Sequence, residues 1–399
     1  MSHNTHVLPE HRRRVGFISA AGTFVAVLIA SATPFPLYGT YGKTDGITPT
    51  EFSLVAVAYF ALAVLALVVL GRLSNHLGRK PLTYAAVAIA IAGCIVMMMV
   101  NGFPLLFIGR GLQGLAAGIA SSAIAAYAVD TAPKRPAWLA GTVSNAAVTI
   151  GLAIGALGAG ALVQFGPAPR VLVFWIAIGI LVACAIGVSV APETVRRSRG
   201  ARLSLIPRLR LPAAARPLLP VATAVFVATW GLGGYYQSFG PSVAMNDLKT
   251  TSSLVAAAVV ASYFSPAIVG GLATGRLSPA GAQRVGMSII VLAVLGLIGA
   301  IVSENAVLFL VAGVLGGIGG GAANSGSARA LLAEATSGER AGVLTVVYAI
   351  SYAGAAVPSL IAGQLARTLS LLALTIGFAC LAALGWLFVI ILARNPKPL

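Results

Sequence analysis

Apolar residues occur in long runs along the whole chain, and short polar loops that carry most of the charged side chains separate these runs. A hydrocarbon core of about 30 Å takes roughly 20 helical residues to cross, which is the length of these runs. The pattern therefore predicts an all-α integral membrane protein with twelve transmembrane helices, over residues 15–38, 52–71, 82–100, 104–128, 139–163, 171–191, 217–240, 251–274, 286–302, 305–329, 341–365 and 371–393.

Composition supports this assignment. Of the 399 residues, 58% are hydrophobic and only 9% are charged, and the mean hydropathy is +0.96. These values exclude a water-soluble globular protein.

The net charge of +17 would suggest nucleic acid as a partner if the basic residues formed one face. With the N-terminus placed in the cytoplasm, however, 21 Lys and Arg residues fall on the inner side and four on the outer side. This asymmetry follows the positive-inside rule and predicts a multi-pass protein of the inner or plasma membrane with both termini cytoplasmic. We expect no nucleic-acid partner, and we expect the first apolar run to be a membrane span and not a cleaved signal peptide.

A short motif near the end of the second predicted helix recurs later in the chain. Gly71–Ser74 and Gly275–Ser278 have the same sequence and lie 204 positions apart. The acidic residues Asp130 and Glu334 are separated by the same distance along the chain. The repeat predicts two parallel six-helix bundles, residues 1–194 and 217–399, joined by a basic cytoplasmic linker over residues 195–216.

Polar and aromatic side chains inside the predicted spans are candidates for a central path, because polar groups are costly in hydrocarbon. The candidates are Arg110, Gln113, Asn145, Trp230, Tyr235, Tyr236, Gln237, Asn324, Tyr348 and Tyr352. Arg110 is the basic residue that lies well within a span, with Gln113 on the same helical face. Two other interpretations stay open: Arg110 could extend toward the outer surface, and each aromatic ring could serve only to pack helices.

Three stretches resemble signatures of the major facilitator superfamily. The loop Gly71–Lys80 is similar to that family's loop between its second and third helices, Arg110–Gly114 is similar to its fourth-helix signature, and Pro192–Thr194 is similar to its turn after the sixth helix. The resemblance implies two six-helix bundles that rock about a substrate site near the membrane midplane. It also implies that Arg110 takes part in proton coupling or anion binding.

The same resemblance implies a cytoplasmic gate. Its residues would be Gly71, Asn75, Gly78, Arg79, Lys80, Asp130 and Arg135. Asn75 stands where the family has an acid, which should weaken the closed inner gate. Asp130 could pair with Arg79 or Arg135, or could be a solvated charge at the end of a helix.

The subfamily assignment rests on the fifth helix. Gly151, Gly155, Gly158 and Gly160 resemble the glycine-rich signature of the twelve-helix drug:proton antiporter group. An alternative is that these glycines only allow close helix packing.

All nine carboxylates fall at predicted helix ends or in loops. Among them, Glu51 at the start of the second helix is a possible proton site. A first-turn acid that stabilises the helix dipole is an equally simple explanation for it.

We therefore expect a secondary transporter that exports small amphiphilic organic compounds, with protons and the lipid bilayer as its other partners. The alternatives are uptake or facilitated transport of a small organic anion or sugar, and a membrane receptor that transports nothing. The sequence has no arrangement of nucleophile and base typical of an enzyme and no metal motif, so we expect no catalytic activity, cofactor or metal. We also expect a monomer.

Overall fold

The computed structural model describes residues 9–133, 139–195, 197–198, 200–205, 211–246, 249–250, 252–335 and 340–396. The side chains of residues 139–146, 202–203, 245–246 and 340–341 lie outside this description.

Twelve helical segments in this part of the chain are long and apolar enough to span a membrane, which confirms the predicted fold class. We number them α1 (Glu10–Thr44), α2 (Pro49–Leu70), α3 (Arg79–Met98), α4 (Phe103–Thr131), α5 (Leu139–Phe165), α6 (Pro169–Val190), α7 (Ala213–Ser238), α8 (Ser253–Ala273), α9 (Pro279–Val302), α10 (Ala306–Ala333), α11 (Arg340–Leu365) and α12 (Leu371–Leu392). Short helices also form over Ser74–Leu77, Ala201–Ser204 and Gly240–Asn246.

Several helices begin earlier than the apolar runs suggest. The predicted span at residues 286–302 belongs to α9, which starts at Pro279, where the Ser278 hydroxyl accepts a hydrogen bond from Gly281 N. Its first turns contain Arg284, which donates from Nη2 to the carbonyl oxygen of Ala393 at 2.9 Å. The charge of Arg284 therefore does not place it in a loop, because its partner is a carbonyl group at the end of a neighbouring helix.

The internal repeat is visible in side-chain contacts as well as in sequence. Lys80 in α3 donates from Nζ to the carbonyl oxygen of Ser189 at the end of α6, at 2.9 Å. Arg284 and Ala393, each 204 positions later, make the corresponding contact between α9 and α12. A basic side chain thus satisfies free carbonyl groups at the end of the sixth helix of each half.

The packing of the second helix on the fourth helix is repeated too. Gly114 lies against the backbone carbonyl of Tyr59, and Gly317 lies against that of Tyr263, so closely that a Cβ at either glycine would overlap the carbonyl. Small residues permit this approach of two membrane helices. The aromatic pair Tyr59–Phe60 on α2 and the pair Tyr263–Phe264 on α8 therefore occupy matching positions in the two halves.

Contacts between the first six and the last six helices determine how the site is enclosed. We call the side of the membrane at which α1 begins and the linker lies the linker side, and the opposite side the far side. On the far side, Thr50 in α2 donates from Oγ1 to the carbonyl oxygen of Gly363 in α11 at 3.0 Å. Ser253 N in α8 donates to Gln164 Oε1 in α5 at 2.9 Å. The two halves are therefore joined on the far side at both of these helix pairs.

Candidate functional site

The environment of Arg110 depends on a break in α1. The helix Glu10–Ala32 is followed by a 3-10 turn over Phe35–Leu37 and a second helix, Tyr38–Thr44. Pro34 has no N–H group to donate to the carbonyl of Ala30. That carbonyl instead accepts a hydrogen bond from Gln113 Nε2 at 2.9 Å.

Arg110 uses a neighbouring carbonyl of the same break. Its Nη1 donates to the carbonyl oxygen of Ser31 at 2.5 Å and to Gln113 Oε1 at 2.8 Å. The guanidinium carbon lies 4.4 Å from the ring centroid of Tyr59 and 5.1 Å from that of Phe35. Arg110 and Gln113, which the sequence places on one helical face, thus both donate to carbonyl oxygens at the break in α1.

Arg110 is 1% exposed, so it does not extend to the membrane surface. In the described part of the chain no carboxylate lies within 4.0 Å of it, and its Nε has no hydrogen-bond partner. Carbonyl dipoles and aromatic faces therefore stabilise the charge. A cation so placed can attract an anionic group or repel a second cation.

A cavity of about 80 Å³ lies between the halves, formed by α5, α7, α8 and α10. Its polar lining consists of Thr149, Thr229, Trp230, Tyr263 and Asn324, and the remainder is apolar, with three glycines from α10. Thr229 Oγ1 donates to Asn324 Oδ1 at 2.8 Å. The lining residues carry no charged side chain, so the cavity suits a group that stacks and accepts or donates a few hydrogen bonds.

A set of aromatic rings extends from this cavity toward Arg110. The Trp230 ring lies edge-on to Tyr352 at 5.3 Å between centroids, and Tyr352 lies 6.2 Å from Phe60. Tyr348 also stacks on Tyr352, with ring centroids 6.3 Å apart. The ring of Phe60 contacts the ring of Tyr59, and Tyr59 in turn contacts the guanidinium group of Arg110. We call the rings of Tyr59, Phe60, Trp230, Tyr348 and Tyr352 the aromatic wall.

The aromatic wall is also a contact between the halves. Tyr352 OH in α11 lies 3.0 Å from Ser121 Oγ in α4. Ser121 belongs to a π-helical turn over Ala120–Ile124, a distortion that often marks functional positions in helices. Any movement of one half against the other must break or slide this contact.

Tyr263 and Phe264 were missed as candidates in the sequence, although both line the cavity. Tyr263 OH donates to the carbonyl oxygen of Thr229 at 2.5 Å, which fixes its ring between α7 and α8. The signal that could have found them is the repeat itself, because Tyr59–Phe60 occurs 204 positions earlier.

Three predicted path residues lie elsewhere. Tyr235 OH lies 2.8 Å from Thr375 Oγ1, so this ring packs against α12 and not toward the cavity. Tyr236 stacks on Tyr263 with centroids 4.9 Å apart and is buried. Gln237 is buried near the far-side end of α7. The side chain of Asn145 lies outside the described residues.

The predicted gate residues meet at the linker side of the first half. Arg79 donates from Nε to Asp130 Oδ2 at 2.8 Å and from Nη1 to Ser74 Oγ at 2.6 Å. Of the two partners considered for Asp130, Arg79 is the one in contact; Arg135 lies outside the described residues. The pair ties the end of α4 to the start of α3.

Glu193 was not predicted as a gate residue. It lies after the end of α6, and its side chain caps the start of α3. Its carboxylate accepts hydrogen bonds from Arg79 N at 2.9 Å and from Lys80 N at 3.0 Å. A carboxylate at this place satisfies free N–H groups and stabilises the positive end of the helix dipole. Gly78 has a φ of 106°, and this backbone conformation allows the chain to change direction immediately before α3. A Cβ at Gly78 would lie 2.7 Å from Glu193 Oε2.

Asn75 is exposed, and its backbone N–H donates to the carbonyl of Arg72. The next residue contacts the linker: His76 Nδ1 lies 3.0 Å from Ser198 Oγ, and the carbonyl of His76 accepts from Ser198 N at 2.9 Å. Arg79 thus ties the loop Gly71–Lys80 to the first half and His76 ties it to the linker, whereas the hydrogen bond of Asn75 stays within the loop.

Glu51 forms a capping box at the start of α2. Its backbone N–H donates to Thr48 Oγ1, and its Oε2 accepts from Thr48 N at 2.8 Å. This capping box holds the Glu51 carboxylate in the first turn of the helix, which is where the helix-dipole interpretation of Glu51 requires it.

A model of the Major Facilitator Superfamily matches residues 15–239, which is more than half of the chain. The chain belongs to the Major Facilitator Superfamily. The resemblance of its loop, fourth-helix and turn motifs is thereby confirmed at the level of this superfamily of membrane transporters.

Three relatives with known names are similar to parts of this chain at low sequence identity. It is 29% identical to the multidrug transporter QDR2 of Candida glabrata over 182 residues, 45% of this chain and 30% of the relative. It is 27% identical to the MFS antiporter QDR2 of Candida albicans over 174 residues, 43% and 34% of the two chains. It is 26% identical to the sugar transporter ERD6-like 6 of Arabidopsis thaliana over 144 residues, 34% and 30%. The chain thus aligns with about a third of the length of each of these relatives.

Proposed function

We propose that the protein is a secondary active transporter that exports small amphiphilic organic compounds by alternating access, in exchange for protons. The observation that carries this proposal is the uncharged cavity between the halves, bordered by the aromatic wall, in a superfamily member similar to a protein named as a multidrug transporter. Stacking and a few adaptable hydrogen bonds suit ligands of varied shape.

The charges in the spans favour neutral or weakly anionic compounds over cations. The cavity lining has no carboxylate, and Arg110 is a buried cation whose nearest described partners are carbonyls and rings. A cationic compound would be repelled by Arg110 without gaining an ion pair, and in a medium of low dielectric this repulsion is large. Arg110 and Gln113 would then sense the bound compound or the coupling ion through Tyr59.

The conformation supports an alternating-access cycle. The halves are joined on the far side by Thr50–Gly363 and Ser253–Gln164, while the described hydrogen bonds of the loop Gly71–Lys80 stay within the first half and the linker. We infer that the linker side faces the cytoplasm and that the far side is closed in this conformation. The two bundles would be residues 1–194 and 217–399, with residues 195–216 as the connecting linker.

Proton coupling is supported less by buried acids than by the relatives. Glu51 is engaged in a helix cap, and in the described spans the carboxylates lie at helix ends. The similarity to a protein named an MFS antiporter supports exchange.

The similarity to a sugar transporter favours one alternative, uptake or facilitated transport of a small organic anion or sugar. Arg110, with an unpartnered Nε, would then bind a carboxylate. This alternative predicts accumulation that depends on an inward gradient, and it predicts that Arg110→Lys weakens binding and leaves coupling intact.

The test uses purified protein in liposomes with an imposed pH gradient and a panel of neutral, anionic and cationic aromatic compounds. We expect uptake of neutral or anionic compounds that stops when an ionophore collapses the gradient. Transport that continues unchanged after the collapse would exclude proton antiport. An absence of flux for every compound of this panel and for sugars measured in parallel would favour the receptor without transport activity.

A further inference from the structure

A groove on the outside of the second half lies between α7, α11 and α12 and has a volume of about 650 Å³. It is distinct from the cavity between the halves. Val357 and Ile361 form its outer wall and are 55% and 56% exposed. These side chains belong to the spanning segment α11, so the groove opens to the bilayer and not to water.

Two glycines that line the groove have different surroundings. Gly354 on α11 lets this helix approach α7 closely, since a Cβ there would lie 2.8 Å from Val227 Cα. Gly377 lies on the α12 side of the groove. A Cβ at Gly377 would meet no atom within 4 Å. Membrane helices ordinarily use glycine for close approach, but Gly377 leaves space that no protein atom fills.

The lining chemistry specifies a hydrocarbon occupant. Thr223, at the linker-side end, is the lining residue with a polar side chain, and all others are aliphatic, glycine, proline or phenylalanine. Along α11 the groove runs from Ile350 to Leu365, which at 1.5 Å per residue is about 22 Å. One leaflet of a hydrocarbon core is about 15 Å deep. An extended acyl chain from the far-side leaflet therefore fits along it.

A positive charge marks the far-side mouth of the groove. Arg367 lies in the turn between two lining residues, Leu365 and Leu369, and is exposed. In the described part of the chain it has no carboxylate within 4.0 Å, whereas two other far-side cations, Arg170 and Lys249, are paired with Asp45 and Glu304. A phosphate group at the membrane surface would complement this cation.

We propose that the groove between α7, α11 and α12 binds one acyl chain of an anionic phospholipid of the far-side leaflet, with the headgroup phosphate at Arg367. The site does not depend on which compound the protein transports. Its occupant would lie on the outer face of α11, the helix that contributes Tyr352 to the aromatic wall and Gly363 to the far-side contact.

Native mass spectrometry of the purified full-length protein tests the site, with phosphatidylglycerol and phosphatidylcholine added in equal amounts. We expect one phosphatidylglycerol to remain bound to the wild-type protein when phosphatidylcholine is stripped. Gly377→Phe should fill the groove and reduce this retention at least tenfold. The matched control is Gly179→Phe on α6, where a Cβ likewise meets no atom within 4 Å outside the groove, and it should bind as the wild type does.

Arg367→Gln should retain the two lipids equally. Unchanged retention in Gly377→Phe would overturn the groove as the site, and an unchanged preference in Arg367→Gln would overturn the role of Arg367 in selecting a headgroup with a net negative charge. A measurement on the unmodified protein covers the case in which Gly377→Phe fails to fold: phosphatidylglycerol with a photoreactive acyl chain should label peptides of α11 and α12. Labelling confined to other helices would contradict the proposal.

Discussion

The guanidinium group of Arg110 lies over the ring of Tyr59, and the corresponding ring of the second half, Tyr263, is stacked instead against Tyr236. The repeat places Gly313 near the position of Arg110, and a Cβ there would lie 3.3 Å from Tyr236 OH. A cation in one half is thus replaced by an aromatic ring in the other. This asymmetry gives the two pseudo-equivalent halves different chemistry, and the first half holds the charge.

Arg110→Lys is expected to reduce transport at least tenfold while the protein still folds. Lysine has a single ammonium group, which cannot bond Ser31 O and Gln113 Oε1 and also stack flat on Tyr59. Flux in liposomes and elution in size-exclusion chromatography measure the two properties. Arg14→Lys, at an exposed pair with Glu10, is the control and should transport normally. Wild-type flux in Arg110→Lys would show that only the charge matters.

The twelve spans could be predicted from sequence because the length of an apolar run reports directly on the thickness of the bilayer. The partners of Arg110 could not, since they are carbonyls of α1 that a proline leaves without a helical donor, and main-chain acceptors leave no mark in side-chain patterns. Tyr263 and Phe264 were overlooked because adjacent aromatic residues in an apolar run are also typical of helix packing. Glu193 was recognised only as part of a motif, although its carboxylate caps a helix more than a hundred residues away in the chain.

Two glycines on α5 provide a matched pair for the packing interpretation of its glycine-rich stretch. A Cβ at Gly155 would lie 2.5 Å from the carbonyl oxygen of Ile29 and 2.8 Å from its Cα, whereas a Cβ at Gly158 meets nothing within 4 Å. Gly155→Leu should therefore destabilise the protein by about 1–3 kcal/mol or more through overpacking against α1, and Gly158→Leu should be nearly neutral. Thermal unfolding in detergent compares them, and equal unfolding temperatures would argue against tight α1–α5 packing.

Gly363→Val is expected to open the far side. A Cβ at Gly363 would overlap the hydroxyl of Ser53 in α2, so a branched side chain there should separate α2 from α11 and shift the population toward the opposite state. A cysteine placed at Gln164, in a background without native cysteines, should then react several-fold faster with an impermeant maleimide. Gly377→Val serves as the control because its site has free space; equal acceleration in both variants would point to general loosening.

Glu193→Ala should weaken the start of α3 by about 0.5–2 kcal/mol, the usual cost of losing a helix cap. The carboxylate accepts from Arg79 N and Lys80 N, and also from Thr194 N at 2.9 Å. Hydrogen exchange of the amides of Arg79 and Lys80 should accelerate in the variant. Glu10→Ala removes an exposed carboxylate whose pairing with Arg14 contributes little, so exchange at α3 should not change there. If α3 stayed protected without Glu193, another group would have to cap it.

Asn75→Asp should shift the resting population toward the state that is closed on the linker side. In the present conformation Asn75 is exposed and the neighbouring His76 contacts the linker at Ser198, so an acid here is free to engage the other half when the gate closes. A negative charge at a helix N-terminus stabilises the state in which this contact forms by about 0.3–1 kcal/mol. The ratio of the state closed on the linker side to the present state would then rise up to about fivefold. Reaction of a cysteine at Tyr348 with a thiol reagent added from the linker side should slow accordingly. Asn75→Ser keeps a neutral hydrogen-bonding group and should behave like the wild type. A reaction rate that does not fall in Asn75→Asp would show that the asparagine has no part in holding the gate open.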